Sequence, residues 1–175
     1  NNPTAWYDAS WGKRIKITNT NATTTENQTN FPVLIQLNST RVTYSDFNAS
    51  GTDIRFVSSD NTSLFPYELE NWNTGTTSTL WVKVPTLATS SYFYLYYNNP
   101  SATTSTASSS AVWDSNFVGV WHLNQTATTT GGYILDSTSN LNNGSSTSTF
   151  YPISTSTGIT DGAQKFDGIN DLINI

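Results

Sequence analysis

Gly51-Thr52-Asp53-Ile54-Arg55-Phe56-Val57, running on to Pro66-Tyr67-Glu68-Leu69-Glu70-Asn71-Trp72, decides the fold class of this chain. Both runs alternate with a period of two. Ile54 and Phe56 fall on one side, Asp53 and Arg55 on the other, and Tyr67 and Leu69 oppose Glu68 and Glu70. That is the pattern of a half-buried β-strand, not of a helix. Ser58-Ser59-Asp60-Asn61-Thr62-Ser63 between them is a turn-forming cluster. The two runs are therefore expected to pair as a β-hairpin at the centre of a β-sandwich.

Other strands are read outward from this hairpin. Lys13-Arg14-Ile15-Lys16-Ile17-Thr18 alternates. Phe31-Pro32-Val33-Leu34-Ile35-Gln36-Leu37 is a strand with proline near its start, where a missing N–H is tolerated. A helical turn is expected near Tyr44-Ser45-Asp46-Phe47. Leu80-Trp81-Val82-Lys83-Val84 is expected to stop at Pro85. Tyr92-Phe93-Tyr94-Leu95-Tyr96-Tyr97 is apolar on both faces, which suits a central strand.

Composition agrees with an all-β fold, an antiparallel β-sandwich of jelly-roll or immunoglobulin-like type. Ser, Thr and Asn make up 73 of the 175 residues, yet 13% of the chain is aromatic, enough to fill a core. Thr, Tyr, Val and Trp favour strands. The net charge of −5 with no basic run argues against nucleic acid as a partner, because phosphate contacts need Lys and Arg. No apolar run approaches the roughly 20 residues of a spanning helix. The absence of cysteine excludes disulfides, thiolate metal sites and Cys nucleophiles. Asn1-Asn2-Pro3 has the look of a mature or trimmed start.

Domain organisation follows from one composition shift. Residues 101–110 are almost pure Ser, Thr and Ala and read as a linker. Residues 1–100 before it would form the sandwich. Residues 111–175 would form a second β unit with too few strands to close a sandwich alone.

Seven Asn-x-Ser/Thr sequons are present, at Asn21, Asn27, Asn38, Asn48, Asn61, Asn124 and Asn143. They are candidate glycosylation sites, most of them in expected turns, and they fit an extracellular or cell-surface protein.

Candidate chemistry is sparse. Glu68 and Glu70 are two apart on one strand, so their carboxylates would share a face about 7 Å apart. A retaining glycosidase pair needs roughly 5–5.5 Å. Laminarinase-type glucanases carry Glu-x-Asp-x-Glu on such a strand, and the middle Asp is missing here. A strand face paired with Arg55 or Lys83 is the plainer reading. His122 is the only histidine and no nucleophile-elbow motif accompanies it, so it reads as a sheet residue. Asp136, Asp167, Asn170 and Asp171 could offer oxygen ligands to calcium, although their spacing is not that of an EF-hand; no other cofactor is expected. Among the tryptophans, Trp81, Trp113 and Trp121 alternate within strands and read as core. Trp72, at a strand end beside Asn71 and Asn73, is the candidate platform for a sugar ring. Lys–Asn isopeptide bonds occur in surface sandwiches, and Lys16 or Lys83 could take part in one, but nothing in the sequence around them supports it.

Several of these motifs, in order, resemble a domain of unknown function widespread in archaeal and bacterial surface proteins. The resemblance runs over roughly residues 5–105. It is carried by Trp11 before Lys13-Arg14-Ile15-Lys16-Ile17, Phe31-Pro32-Val33, Gly51-Thr52-Asp53-Ile54-Arg55-Phe56, Tyr67-Glu68-Leu69-Glu70-Asn71-Trp72, Leu80-Trp81-Val82-Lys83-Val84-Pro85 and Tyr94-Leu95-Tyr96-Tyr97-Asn98-Asn99. Val118-Gly119-Val120-Trp121-His122-Leu123, Asp136-Ser137-Thr138, Asn143-Gly144 and Gly162-Ala163-Gln164-Lys165-Phe166-Asp167-Gly168-Ile169-Asn170-Asp171 resemble the opening of a laminin-G-like or concanavalin-A-like module. The resemblance implies a surface, binding or adhesive role and no assigned activity. The expected function is a non-enzymatic structural or adhesive surface protein. It would be a filament subunit assembled by strand addition, with a neighbouring chain completing the second unit. The alternatives are a carbohydrate-binding accessory module and a glycan-cleaving enzyme. Expected partners are other copies or surface subunits and glycans.

Overall fold

The computed structural model describes residues 6–20, 26–125, 133–146, 150–155 and 158–175. The chain divides into two compact units, residues 1–112 and 113–175.

The first unit is an antiparallel β-sandwich. Its strands are β1 (Lys13–Thr18), β2 (Gln28–Asn38), β3 (Arg55–Ser58), β4 (Leu64–Phe65), β5 (Tyr67–Asn71), β6 (Thr77–Leu87) and β7 (Tyr92–Tyr97). One sheet has the order β1-β7-β3-β4 and the other β2-β6-β5. Alternation sends Phe56, Phe93, Leu95 and Tyr97 of the first sheet and Ile35, Leu37, Tyr67, Leu80, Val82 and Val84 of the second into one shared core. β7 lies inside its sheet, between β1 and β3, as its two apolar faces led one to expect.

The hairpin expected from residues 51–72 does not form as read. β3 pairs with the short β4, Phe56 opposite Phe65, around the turn at Asp60. Pro66 then ends that pairing, and β5 joins the other sheet beside β6, with Glu68 opposite Trp81. The two alternating runs therefore face each other across the core instead of lying side by side. Phe56 and Tyr67 meet edge-on with ring centroids 5.4 Å apart. Alternation reports that a strand is half-buried, and it is blind to which sheet the strand joins.

Two boundaries also differ. β6 does not stop at Pro85 but runs through it to Leu87. Pro85 lies beyond the stretch of β6 that β5 pairs, so its missing N–H breaks no bond on that side. β2 begins at Gln28, which leaves Pro32 inside a strand, and the strand is an edge one. The helical turn expected at 44–47 is a 3-10 turn, Tyr44–Asp46.

Residues 101–110, read as a linker from composition, are bound to the first unit. Ser108 N–H donates to Tyr67 O at 2.8 Å, on the edge strand β5. Ala102 packs against Val57 and Tyr96. Asn48 Nδ2 donates to Ala102 O at 3.0 Å. The short helix α1 (Ser109–Val112) follows, and Lys83 Nζ donates to Ala111 O at 3.3 Å.

The second unit is built of short pairs. β8 (Tyr133–Ile134) pairs with β9 (Gly144–Ser145), and β10 (Ile153–Thr155) pairs with β11 (Ala163–Lys165). Residues 118–123 and 172–175, strand-like in sequence, contribute among the described residues the isolated bridges Trp121–Asp136 and Asn174–Ser145.

Candidate functional site

Under the end of β7 lies a buried carboxylate. Asp53, 1% exposed, precedes β3. Its Oδ1 accepts from Asn48 N–H at 2.8 Å, and its Oδ2 from Asn98 and Asn99 N–H at 3.0 and 3.2 Å. Alternation had put Asp53 on an outward face. The strand begins only at Arg55, so Asp53 belongs to the preceding turn and turns inward. Its work is to satisfy backbone amides that would otherwise be buried without partners.

The outer face of the first sheet carries cations on aromatic rings. Alternation places Tyr92, Tyr94 and Tyr96 there, and the register sets Arg14 opposite Tyr96 and Lys16 opposite Tyr94. The Arg14 guanidinium lies 4.4 Å from the Tyr94 ring centroid and 5.0 Å from that of Trp6. Lys16 Nζ lies 4.0 Å from the Tyr92 centroid. These are cation–π distances. Tyr96 is fully buried, and its hydroxyl is satisfied: it accepts from Arg14 at 2.9 Å and from Tyr7 N–H at 3.1 Å, and donates to Asn61 Oδ1 at 2.6 Å. Sequence reasoning missed this cluster. Its signal was the pairing of Lys-Arg-x-Lys in one alternating strand with Tyr-x-Tyr-x-Tyr in another.

The clefts of the first unit lie at its margins. One of about 340 Å³ opens between the edge strands β1 and β2, lined by Ile15, Ile17, Ile35, Leu37, Val42 and Leu95 among others. A neighbouring polar cleft shares Ile15, Arg41 and Val42 with it and contains Lys13 and Asp46, which form an ion pair at 2.6 Å.

The residues singled out in sequence fall elsewhere. Glu68 is 8% exposed. The register of β5 on β6 shifts between Leu69 and Asn71, which makes Glu70 the extra residue of a bulge. Glu70 Oε2 accepts from Trp81 Nε1 at 2.6 Å. Neither glutamate lines the clefts above. Arg55 belongs to the other sheet, where it donates to Thr52 O and Ile54 O. Trp72 is half-buried. Its Nε1 donates to Ala49 O at 3.0 Å, and its ring packs edge-on against Tyr44 and Phe47. Gly51, at φ +63°, lies beneath it, and a Cβ there would stand 2.8 Å from the indole. The ring is a lid on the core, with one face already used. Trp6, 41% exposed, is the more open indole. His122 is half-buried with its ring 5.9 Å from that of Trp113. Lys16 rests on Tyr92 and Lys83 on the Ala111 carbonyl.

The calcium candidates separate. Asp167, Asn170 and Asp171 share one exposed loop, in which Asp167 Oδ1 accepts from Ile169 and Asn170 N–H and Asp171 Oδ2 accepts from Asp167 N–H. Asp136 is buried elsewhere and ties together Val120, Thr138 and Asn142 through their N–H groups. Among the described residues, no three or more His, Cys, Asp or Glu side chains gather as a metal-binding group.

Burial opposes the ionisation of Asp136, but the hydrogen bonds from Val120, Thr138 and Asn142 outweigh it and hold the carboxyl below its ordinary value of 3.8. A depressed carboxyl stabilises the fold above the unfolded value, and that contribution is lost as pH falls from about 3.8 through the lower folded value. Asp136→Ala is expected to cost the second unit about 2 kcal/mol at pH 7, because buried donors lose their acceptor. The same variant should show a smaller drop in urea stability between pH 7 and pH 3 than the parent; an equal drop would remove Asp136 from the acid response.

The sequons are unequal. Asn21 lies outside the described residues. Asn27 and Asn143 are exposed. Asn38 and Asn61 are half-buried at turns, with Oδ1 of Asn38 held by Thr40 and that of Asn61 by Tyr96. Asn124 Nδ2 lies 3.5 Å from Asp161 Oδ2. Asn48 Nδ2, the atom a glycan would need, donates to Ala102 O, Thr52 Oγ1 and Asn99 O. Peptide mass spectrometry of protein from its natural producer is expected to find Asn48 bare where Asn27 is modified. A glycan on Asn48 would contradict the docking of residues 99–102.

Against known proteins, no curated protein and no solved structure matches this chain. A family model does match, over residues 50–120, and its description is a domain of unknown function, DUF2341. The matched span takes in β3 to β7 and α1, and no laminin-G-like module is matched in the second unit. Residues 50–120 are thus similar to a domain whose family carries no assigned activity.

Proposed function

We propose that this chain is a non-enzymatic structural or adhesive protein of the cell exterior, working by association with further copies of itself. One observation carries the reading. Of the 14 large hydrophobic side chains exposed among the described residues, 11 lie in the second unit, from Val118 to Ile175. Single exposed apolar residues are ordinary, whereas such a concentration on a small unit marks an interaction surface. Among the described residues the strands there are two or three residues long and pair two by two, with β9 also bridged to Asn174, and such short ladders are of the kind that strand addition extends. Exposed sequons at Asn27 and Asn143 and a surface poor in charge support an exterior setting. The placement of Glu68 and Glu70 disfavours a glycan-cleaving pair.

Electron microscopy of the native protein tests this reading, with regular filaments or multimers expected. A dispersed monomer across the micromolar range would overturn it. The carbohydrate-binding reading retains one supporting feature, the exposed Trp6 beside Arg14, and saturable binding on a glycan array that Trp6→Ala removes would favour it.

A further inference from the structure

We propose that the outer face of the sheet holding β1 and β7 binds an acidic polysaccharide, with Arg14 and Lys16 taking uronate carboxylates and Trp6 carrying a sugar ring. The proposal rests on the carbohydrate-binding reading, to which it gives a ligand class, and it is independent of self-association.

Charge comes first. The chain has seven Lys and Arg residues against twelve Asp and Glu. Four of the seven, Lys13, Arg14, Lys16 and Arg55, lie in the four-stranded sheet, whose strands contain no acidic residue. Lys13 is ion-paired with Asp46, and Arg55 is turned to the carbonyls of Thr52 and Ile54. Arg14 and Lys16 remain, two positions apart on one face of β1 and so roughly 7 Å from each other along the strand. Among the described residues neither has a carboxylate partner. Asp8 and Asp60, which neighbour Tyr7 and Asn61 in sequence, are held in their own turns, by Ser10 and by Ser58 and Thr62. Two cations side by side without a counter-charge, on an acidic protein, are complementary to an anion.

Arg14 is also held ready. Its guanidinium stacks 4.4 Å from the Tyr94 centroid and 5.0 Å from that of Trp6, and its Nη1 donates to Tyr96 Oη at 2.9 Å and Asn61 Oδ1 at 3.3 Å. Stacking covers the faces of a guanidinium and leaves free its edge, where the donors lie. Nη2 and Nε have no acceptor among the described residues, so a fixed group has donors to spare for a carboxylate. Lys16 and Arg14 already cover the Tyr92 and Tyr94 rings. Trp6, 41% exposed, is the indole beside them that stays open to a sugar ring. Two cations on a chain of net charge −5 are too few for a nucleic acid, whose affinity grows with the number of phosphates neutralised. A uronate chain carries its charges on sugar rings and so uses the indole as well as the cations.

The test is calorimetric titration of the full chain with oligomers of galacturonate and of glucuronate, each beside its neutral methyl ester. Saturable binding of at least one acid form is expected, with its ester held roughly tenfold more weakly or worse. Arg14→Lys, which keeps the charge and loses the fork, and Lys16→Gln should each weaken the acid form roughly tenfold. Lys16 is exposed, so its replacement should leave the melting temperature unchanged and keeps the test readable if the Arg14 variant loosens the fold. No binding of either acid, esters bound as well as acids, or binding indifferent to Lys16→Gln overturns the proposal. Polyphosphate bound as tightly as the uronates would show that charge alone is read, and would overturn the assignment to a sugar. Neutral glycans bound through Trp6 with no uronate bound would keep the carbohydrate-binding reading and sink the acidic ligand.

Discussion

Replacing Asp53 with alanine is expected to cost the first unit about 3–5 kcal/mol, much of the stability of a domain this size. The carboxylate is buried, and it serves three backbone N–H groups from two separate loops, Asn48 on one side and Asn98 and Asn99 on the other. Alanine leaves all three without an acceptor and too deep for water to replace it. Each stranded donor costs about 1–3 kcal/mol. Asparagine should do less harm, since one acceptor oxygen survives. Equilibrium urea unfolding followed by tryptophan fluorescence reads the difference. A loss under about 1 kcal/mol would mean that the two loops hold together without this carboxylate.

Phe56→Ala is expected to be comparably damaging, at about 3–5 kcal/mol. The ring is fully buried, contacts Phe93 within its own sheet at 6.1 Å between centroids, and meets Tyr67 of the opposite sheet. It is the point where the chain, having crossed at Pro66, packs back on itself. Tyr67→Phe makes the contrast: its hydroxyl has only a 3.5 Å contact with Ser105, so the loss should stay under about 1 kcal/mol. A loss under about 1 kcal/mol for Phe56→Ala would mean that this ring does not hold the two sheets together. Thermal or urea unfolding of the pair decides it.

Much of the sandwich was legible in sequence because alternation is a local property. The strands at 13–18 and 92–97 emerge at their sequence-read positions, and the double-sided apolarity of 92–97 matches its place inside the sheet. What alternation does not encode is partnership. A Pro between two half-buried runs is equally compatible with a hairpin loop and with a change of sheet, and here Pro66 marks the change. Asp53 was misplaced because alternation was carried two residues upstream of the strand. Trp72 looked open beside two asparagines, but Gly51 is what lets the indole close over the core, and the two lie 21 positions apart in sequence. The cation-bearing tyrosine face needed two distant strands in register before it existed at all. Residues 101–110 show the limit of composition: Ser and Thr make a segment look untethered, while their backbone groups dock as well as any others.

The pairing of β1 with β7 has a consequence for the order in which the chain takes shape. Lys13 lies opposite Tyr97, so the first strand made is matched to the last strand of its sandwich. During synthesis, at about 5–20 residues per second, β1 waits several seconds for its partner, with Ile15 and Ile17 uncovered. β2 waits less, because β6 arrives sooner. Such long-range closure makes for slow folding, and a newly made chain would be open to capture by its neighbours throughout that interval. The three basic residues of β1 are well placed to keep nascent chains apart until Tyr92–Tyr97 arrives.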